Sequence, residues 1–342
     1  MNYKISKEYS EAIDTLKIIA IVMVVYIHSA GVVIHENIVE AGWLINFKYF
    51  ISSIVSSCAV PIFFMLTGIL LYKRDFTWKY NIKKKAKTLL IPYLLVNLIW
   101  IIIFLVAYQF DFAKSFFVNK DWIIQEWNIK DWIDAFIGNP MYSMVFPLWF
   151  IRDLLVLNIL SKMIKILIDY YPKILFIIMF CLWIVNFNLH VFFLQYQSLF
   201  FFSMGYYIVK FKINLNTAKK VNLTWLSIMY ILVIILELIT RNIYIHQLQI
   251  LISIVFWFKI VIKIKNKIFM KYSKYVFGIF LFHEWSLTIL KKILIKVISI
   301  NSVSNIFIYV FAPVIIIFLL IFFLKLFERY ANRLYKIVMG YR

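Results

Sequence analysis

A chain of 342 residues, 64% hydrophobic and with a mean hydropathy of +0.88, lies far outside the composition of a soluble globular domain. It reads as an all-α integral membrane protein, one polytopic domain over residues 1–342. The 37 Lys and Arg outnumber the 16 Asp and Glu to give a formal net charge of +21, but no nucleic-acid motif goes with it, so the excess reflects membrane topology and anionic lipid. There is no GxxxxGK[ST] loop, no GxGxxG fingerprint and no His/Cys cluster with zinc spacing, which argues against an ATP-driven machine, a dinucleotide enzyme and a bound metal.

Apolar stretches of about 17 to 25 residues mark spans. They fall near 12–33, 49–72, 88–110, 147–168, 173–192, 195–209, 222–240, 244–263, 274–293 and 305–326, ten in all. With an internal N-terminus, most of the Lys and Arg lie on predicted cytoplasmic segments, which places both termini and the 73–87 loop in the cytoplasm. The first run is longer than the hydrophobic stretch of a secretory signal peptide and lacks a small-residue cleavage site, so it is read as a retained span. Cys58 and Cys181 both fall inside spans, which argues against a structural disulfide. Heavy use of Ile, Lys, Asn, Phe and Tyr looks like an AT-rich genome and suggests a bacterial inner membrane.

The first span, EAIDTLKIIAIVMVVYIHSAGVV, carries Asp14, Lys17 and His28. Ionisable side chains inside a bilayer cost a few kcal/mol each and mark function by default. Lys17 and His28 differ by about 20° in azimuth and roughly 16 Å in height, so Asp14, Lys17, Ile21, Val24 and His28 share one stripe. Such a stripe must line a cavity or another helix. The second span holds Thr67 and Gly68 after Pro61, among small residues that close helix packing explains as well as function does. The following loop, KRDFTWKYNIKKKAKT, crowds in Lys73, Arg74, Lys79, Lys83, Lys84, Lys85 and Lys87. It is either a topology signal or a site for a multiply phosphorylated ligand such as coenzyme A.

The external segment at about 111–146 contains Trp122, Trp127 and Trp132, which read as an interfacial amphipathic helix or a surface for stacking sugars. Arg152 in the fourth span has Asp153 next to it, but neighbours on a helix point about 100° apart, so each is expected to pair elsewhere. Trp149 sits at that span's entrance. His283 and Glu284 lie in the ninth span, where a satisfied core histidine is the ordinary reading. His35, His190 and His246 fall near external ends without a motif, and Glu237 with Arg241, spaced i, i+4, reads as a local ion pair.

Taken together these segments resemble the membrane acyltransferase 3 family. Lys17 and His28 fit its first-helix pattern of a basic residue, ten others and a histidine. VPIFFMLTGILL at 60–71 is similar to its second-span element, with Thr67 and Gly68 at the Ser-Gly places. IPYLL at 91–95, preceded by Lys84 and Lys87 in two arginine places, resembles its next element. PLWFIRDLLVL at 147–157 and KYSKYVFGIFLFHEWSL at 271–287 resemble two later ones. The resemblance implies transfer of an acyl group, commonly acetyl, from cytoplasmic acyl-CoA as co-substrate to a hydroxyl of a surface polysaccharide or lipid-linked glycan. In it His28 is general base or acyl carrier, with Lys17 and Asp14 beside it. Lys83, Lys84, Lys87 and Arg74 meet the donor. Arg152, Trp149, His283, Glu284 and Thr67 are substrate or cavity residues. A transporter or flippase for lipid-linked sugar, or a non-catalytic export partner, is the alternative; it would consume no acyl-CoA.

Overall fold

The computed structural model describes residues 3, 5–30, 41–73, 77–111, 124–138, 144–185, 194–213, 220–264, 267–298 and 301–341. Among these the regular structure is helical, with no β-sheet. An apolar medium demands this, because backbone N–H and C=O groups there find no water and must pair within their own segment. In chain order the helices are α1 (Lys7–Ala30), α2 (Gly42–Lys48), α3 (Ala59–Tyr72), α4 (Trp78–Lys85), α5 (Ile91–Ala107), α6 (Ile129–Ile137), α7 (Trp149–Tyr170) and α8 (Pro172–Ile184). They continue as α9 (Tyr196–Lys210), α10 (Leu223–Thr240), α11 (Ile243–Lys263), α12 (Lys267–Tyr272), α13 (Val276–Val297), α14 (Ser302–Tyr330) and α15 (Asn332–Val338).

A helix overlaps each segment expected to span, but among the described residues only six stretches are long and apolar enough to cross a bilayer. These are Lys7–Ala30, Gly42–Tyr72, Trp78–Ala107, Leu223–Thr240, Ile243–Lys263 and Ser302–Tyr330. The other four fall short for physical reasons. α8 and α9 have only 13 and 15 residues, and α7 and α13 carry charged side chains along their length.

The chain divides into two compact units. The first comprises Met1–Gly31, Val39–Asn81 and Val156–Val276. Here α2 runs without a break into a seven-residue π-helical segment, Tyr49–Val55, and the turn at 56–58 then leads into α3. Pro61 lies in the first turn of α3, where a missing N–H is tolerated. A π-helix displaces carbonyls from the regular ladder, and side chains meet them. Ser56 Oγ donates to the Ile51 carbonyl at 2.8 Å, and Gln249 Nε2 from α11 donates to that of Ile54 at 3.0 Å. Gln249 Nε2 also lies 2.7 Å from Ser253 Oγ, and Ser57 Oγ lies 2.9 Å from Gln249 Oε1. Ser52 Oγ reaches across to α1 and donates to the Tyr26 carbonyl at 2.6 Å.

The most extensive helix pair in this unit is α3 on α9. It closes at Gly68 and Gly205, where the two backbones touch because neither residue has a Cβ. Tyr72, at the end of α3, packs its ring tilted against that of Tyr206 at 4.4 Å and donates to the Ser161 carbonyl of α7 at 2.7 Å. Beside it Asp169 accepts from Tyr206 Oη at 2.6 Å and pairs with Lys210 at 3.3 Å.

The second unit comprises Val32–Ile38, Ile82–Leu155 and Phe277–Arg342. Another π-helical stretch, Ala86–Leu90, precedes α5. Pro92 cannot supply the N–H that would meet the Thr88 carbonyl. Gly340 packs against that carbonyl instead, with φ of +66° and its missing Cβ within contact of Thr88. α6 opens on a capping box: Asn128 Oδ1 accepts from the backbone N–H groups of Lys130 and Asp131, and Asp131 Oδ2 accepts from that of Asn128. It is amphipathic, with Ile129, Trp132, Ile133 and Ile137 exposed, and the Trp127 ring lies edge-on to Trp132 at 5.2 Å. Trp122 falls outside the described residues. Tyr93 Oη donates to the Phe136 carbonyl and ties α6 to α5.

Candidate functional site

The apolar members of the α1 stripe face the interior of the first unit. Ile21 and Val24, between Lys17 and His28, are 0% and 2% exposed, whereas Asp14, Lys17 and His28 are half-buried. The two charges at the start of the stripe satisfy each other, Lys17 Nζ lying 2.9 Å from Asp14 Oδ1 at i, i+3. His28 occupies the last turn of α1, where unpaired carbonyls favour a positive or hydrogen-donating group. Ser52 holds the helix at Tyr26, two residues earlier. The Thr67 hydroxyl donates to the Phe63 carbonyl of its own helix at 2.8 Å, and the neighbouring Gly68 serves the close crossing with α9.

The second unit gathers Trp149, Arg152, His283 and Glu284 around the entry of α7. The Glu284 carboxylate accepts the backbone N–H of Phe146 in the turn that starts this helix, the place where a helix favours negative charge. Its Oε2 is buried with no hydrogen-bond partner among the described residues. Trp285 Nε1 donates to the Met144 carbonyl at 3.2 Å, while its ring lies against Phe104 at 4.8 Å and Trp100 at 6.2 Å. Phe150 meets Phe280 at 5.3 Å, and the Trp149 ring stands 6.4 Å from that of Phe150. His283 is fully buried, with Nδ1 2.8 Å from the Phe280 carbonyl and 3.1 Å from that of Ile279. Carbonyls only accept, so Nδ1 carries the proton. Arg152 Nη1 donates to the Ile137 carbonyl at the end of α6 at 2.9 Å, and its contact with Asp153 stretches to 3.9 Å. Arg152 thus finds its short partner away from its sequence neighbour, as helical geometry requires.

Lys83, Lys84 and Lys87 are exposed at the end of α4 and in the π-helical stretch after it. Arg74 lies outside the described residues, as do His35 and His190. Among the described residues no group of three or more His, Cys, Asp or Glu side chains is placed to hold a metal.

One pair overturns its sequence reading. Glu237 does not pair with Arg241 through its side chain. Its Oε1 lies 2.6 Å from Nδ1 of His246 on the next helix. The Arg241 guanidinium instead donates to Asn46 Oδ1 at 2.6 Å and lies over the Tyr49 ring at 4.9 Å. The signal for this pairing was present. Glu237 stands four residues before Arg241 and His246 four after Asn242, so a tight hairpin at 241–242 sets them opposite one another.

A model of an acyltransferase domain matches residues 10–323. The succinoglycan biosynthesis protein ExoH of Rhizobium meliloti (strain 1021) is 25% identical over 179 residues, 51% of this chain and 47% of that protein, so the chain spans about half the length of this relative. No solved structure gives a significant match.

Proposed function

This chain belongs to the acyltransferase 3 family, and from that premise we propose that it transfers an acyl group, acetyl in the simplest case, from cytoplasmic acyl-CoA to a hydroxyl of a surface polysaccharide or lipid-linked glycan. The observation that carries the reading is the α1 stripe, whose half-buried imidazole and ion pair flank the buried apolar residues Ile21 and Val24. An imidazole works as base or nucleophile near neutral pH without a metal. His28 is therefore the group at which the acyl transfer takes place. Lys17, neutralised by Asp14, orders the helix below it. Lys83, Lys84 and Lys87 supply positive charge for the phosphates of the donor, as point charges without the bidentate fork of arginine. The similarity to a succinoglycan biosynthesis protein supports a polysaccharide as acceptor.

The test is a deletion strain complemented with wild type or His28→Ala, its surface glycans read by mass spectrometry. Deletion should remove an acyl mass that the wild type restores. His28→Ala should restore none while inserting normally, because loss of a general base costs about 10²- to 10⁴-fold and loss of a nucleophile more. Near-normal acylation with His28→Ala would remove α1 from the chemistry. An unmodified glycan that fails to reach the surface in the deletion strain would point to transport.

A further inference from the structure

Within the first unit, the hairpin between α10 and α11 presents a second imidazole with a carboxylate behind it. Glu237 is 0% exposed, has one oxygen on His246 Nδ1 at 2.6 Å, and leaves its other oxygen buried with no hydrogen-bond partner among the described residues. A carboxylate in such a place is costly unless it is paired, and the cation closest in sequence, Arg241, is directed to Asn46 and Tyr49. The Nδ1–H of His246 is therefore the donor that meets this carboxylate. The His246 side chain is 28% exposed, and its Nε2 makes no hydrogen bond among the described residues. A buried carboxylate that fixes Nδ1–H leaves Nε2 with its lone pair outward, the arrangement of a general base held by an orienting group.

The hairpin and the His28 end of α1 are held by one element. Asn46 and Tyr49 contact Arg241, and Ser52, three residues further on, holds the Tyr26 carbonyl. The hairpin that carries His246 and the last turn of α1 that carries His28 thus both rest on the stretch from Asn46 to Ser52, at the same end of this unit.

We propose that Glu237 and His246 form the dyad that takes the proton from the acceptor hydroxyl in acyl transfer, leaving His28 to receive the acyl group from the donor. The assignment rests on the acyltransferase reading. In the step, the acceptor oxygen forms a bond to the acyl carbon while its proton passes to His246 Nε2, and the imidazolium is held by the Glu237 carboxylate. The bond from the acyl carbon to the His28 nitrogen breaks, and its electron pair stays on that nitrogen. The nitrogen takes up the proton that His246 then returns, so both imidazoles end neutral.

The experiment uses the full chain purified in nanodiscs, with acetyl-CoA and unacylated glycan from the deletion strain as probes. It reads released coenzyme A thiol and glycan acetyl mass separately. Wild type that produces neither would sink the acyltransferase reading and the dyad with it. With active wild type, His246→Ala should lower glycan acetylation by about 10²- to 10⁴-fold, and added imidazole should restore part of it. Glu237→Gln should lower it by at least about 10²-fold, because an amide does not favour the same tautomer. Loss without imidazole rescue in a normally folded His246→Ala protein would reduce the pair to a hairpin clamp. Should His246→Ala fail to fold, His246→Gln keeps a donor for Glu237 but no base. Its retention of wild-type transfer would equally overturn the dyad.

Discussion

Replacing Gly205 by alanine puts a methyl group into the tightest helix crossing of the first unit. The new Cβ would stand 2.6 Å from the Ile69 nitrogen and 2.8 Å from Gly68 Cα, and would also crowd the Met65 carbonyl oxygen. Atoms of this kind rest about 3.5–4.0 Å apart, so the shortfall is close to 1 Å. All three neighbours are backbone, so no rotamer change relieves the clash and α9 must retreat from α3. A gap of 0.5–1 Å forfeits roughly a quarter to a half of each contact's attraction along the interface. Within a membrane, packing of this kind drives helix association. The expected loss sits at the upper end for overpacking, about 3 kcal/mol, which corresponds to roughly 6–12 °C in apparent Tm. Heating detergent-solubilised protein and following the monodisperse fraction by size exclusion measures it. Gly42→Ala is the control, since a Cβ there meets nothing within 4 Å. If Gly205→Ala melts within 2 °C of Gly42→Ala, the reasoning from this crossing is wrong.

Neutralising Lys83, Lys84 and Lys87 together to glutamine should raise the acyl-CoA concentration needed for half-maximal transfer by about tenfold or more with little change in the maximal rate, the signature of lost uniform binding. Steady-state titration of the donor checks it, and unchanged dependence would leave these lysines as topology signals. Gln249→Leu removes the donor to the Ile54 carbonyl and the partner of Ser253. Leaving buried polar groups unmet should destabilise the protein by about 1–3 kcal/mol, read by the same melting assay; no change would mean that the π-helical carbonyls need no cover.

Long apolar runs in one dimension were enough to foretell a helix at every expected span, and helical periodicity aligned Lys17 and His28 with Ile21 and Val24, which the structure buries. What escaped was set by contacts between distant segments. Glu237 looked like the partner of Arg241 because helical spacing is the only distance that a sequence prints, whereas the hairpin offered His246 at closer range. The π-helical segment leaves no compositional mark: YFISSIV is apolar enough for any helix, and its register depends on Gln249, 195 positions from Ile54. Hydropathy counted α7 as a span because Leu and Ile dominate it. Charges along it are met from other helices, by the Ile137 carbonyl of α6 for Arg152 and by Tyr206 and Lys210 of α9 around Asp169.

The π-helical segment also bears on how this span tolerates insertion and deletion. Each hydrogen-bonded ring there is one residue longer than in an α-helix, so the segment holds surplus chain within a continuous helix. Removing one residue between 49 and 55 would leave the span long enough to cross a bilayer and would draw on that surplus, closing the wide rings into ordinary α-helical ones while the residues on either side keep nearly the same angular alignment. The same deletion in α3 ahead of Gly68 has no surplus to draw on, and would turn the residues before it by about 100° relative to the crossing of Gly68 with Gly205. Single-residue deletions should therefore be tolerated better in the π-helical segment than in α3, so length variation in this span is expected to concentrate there.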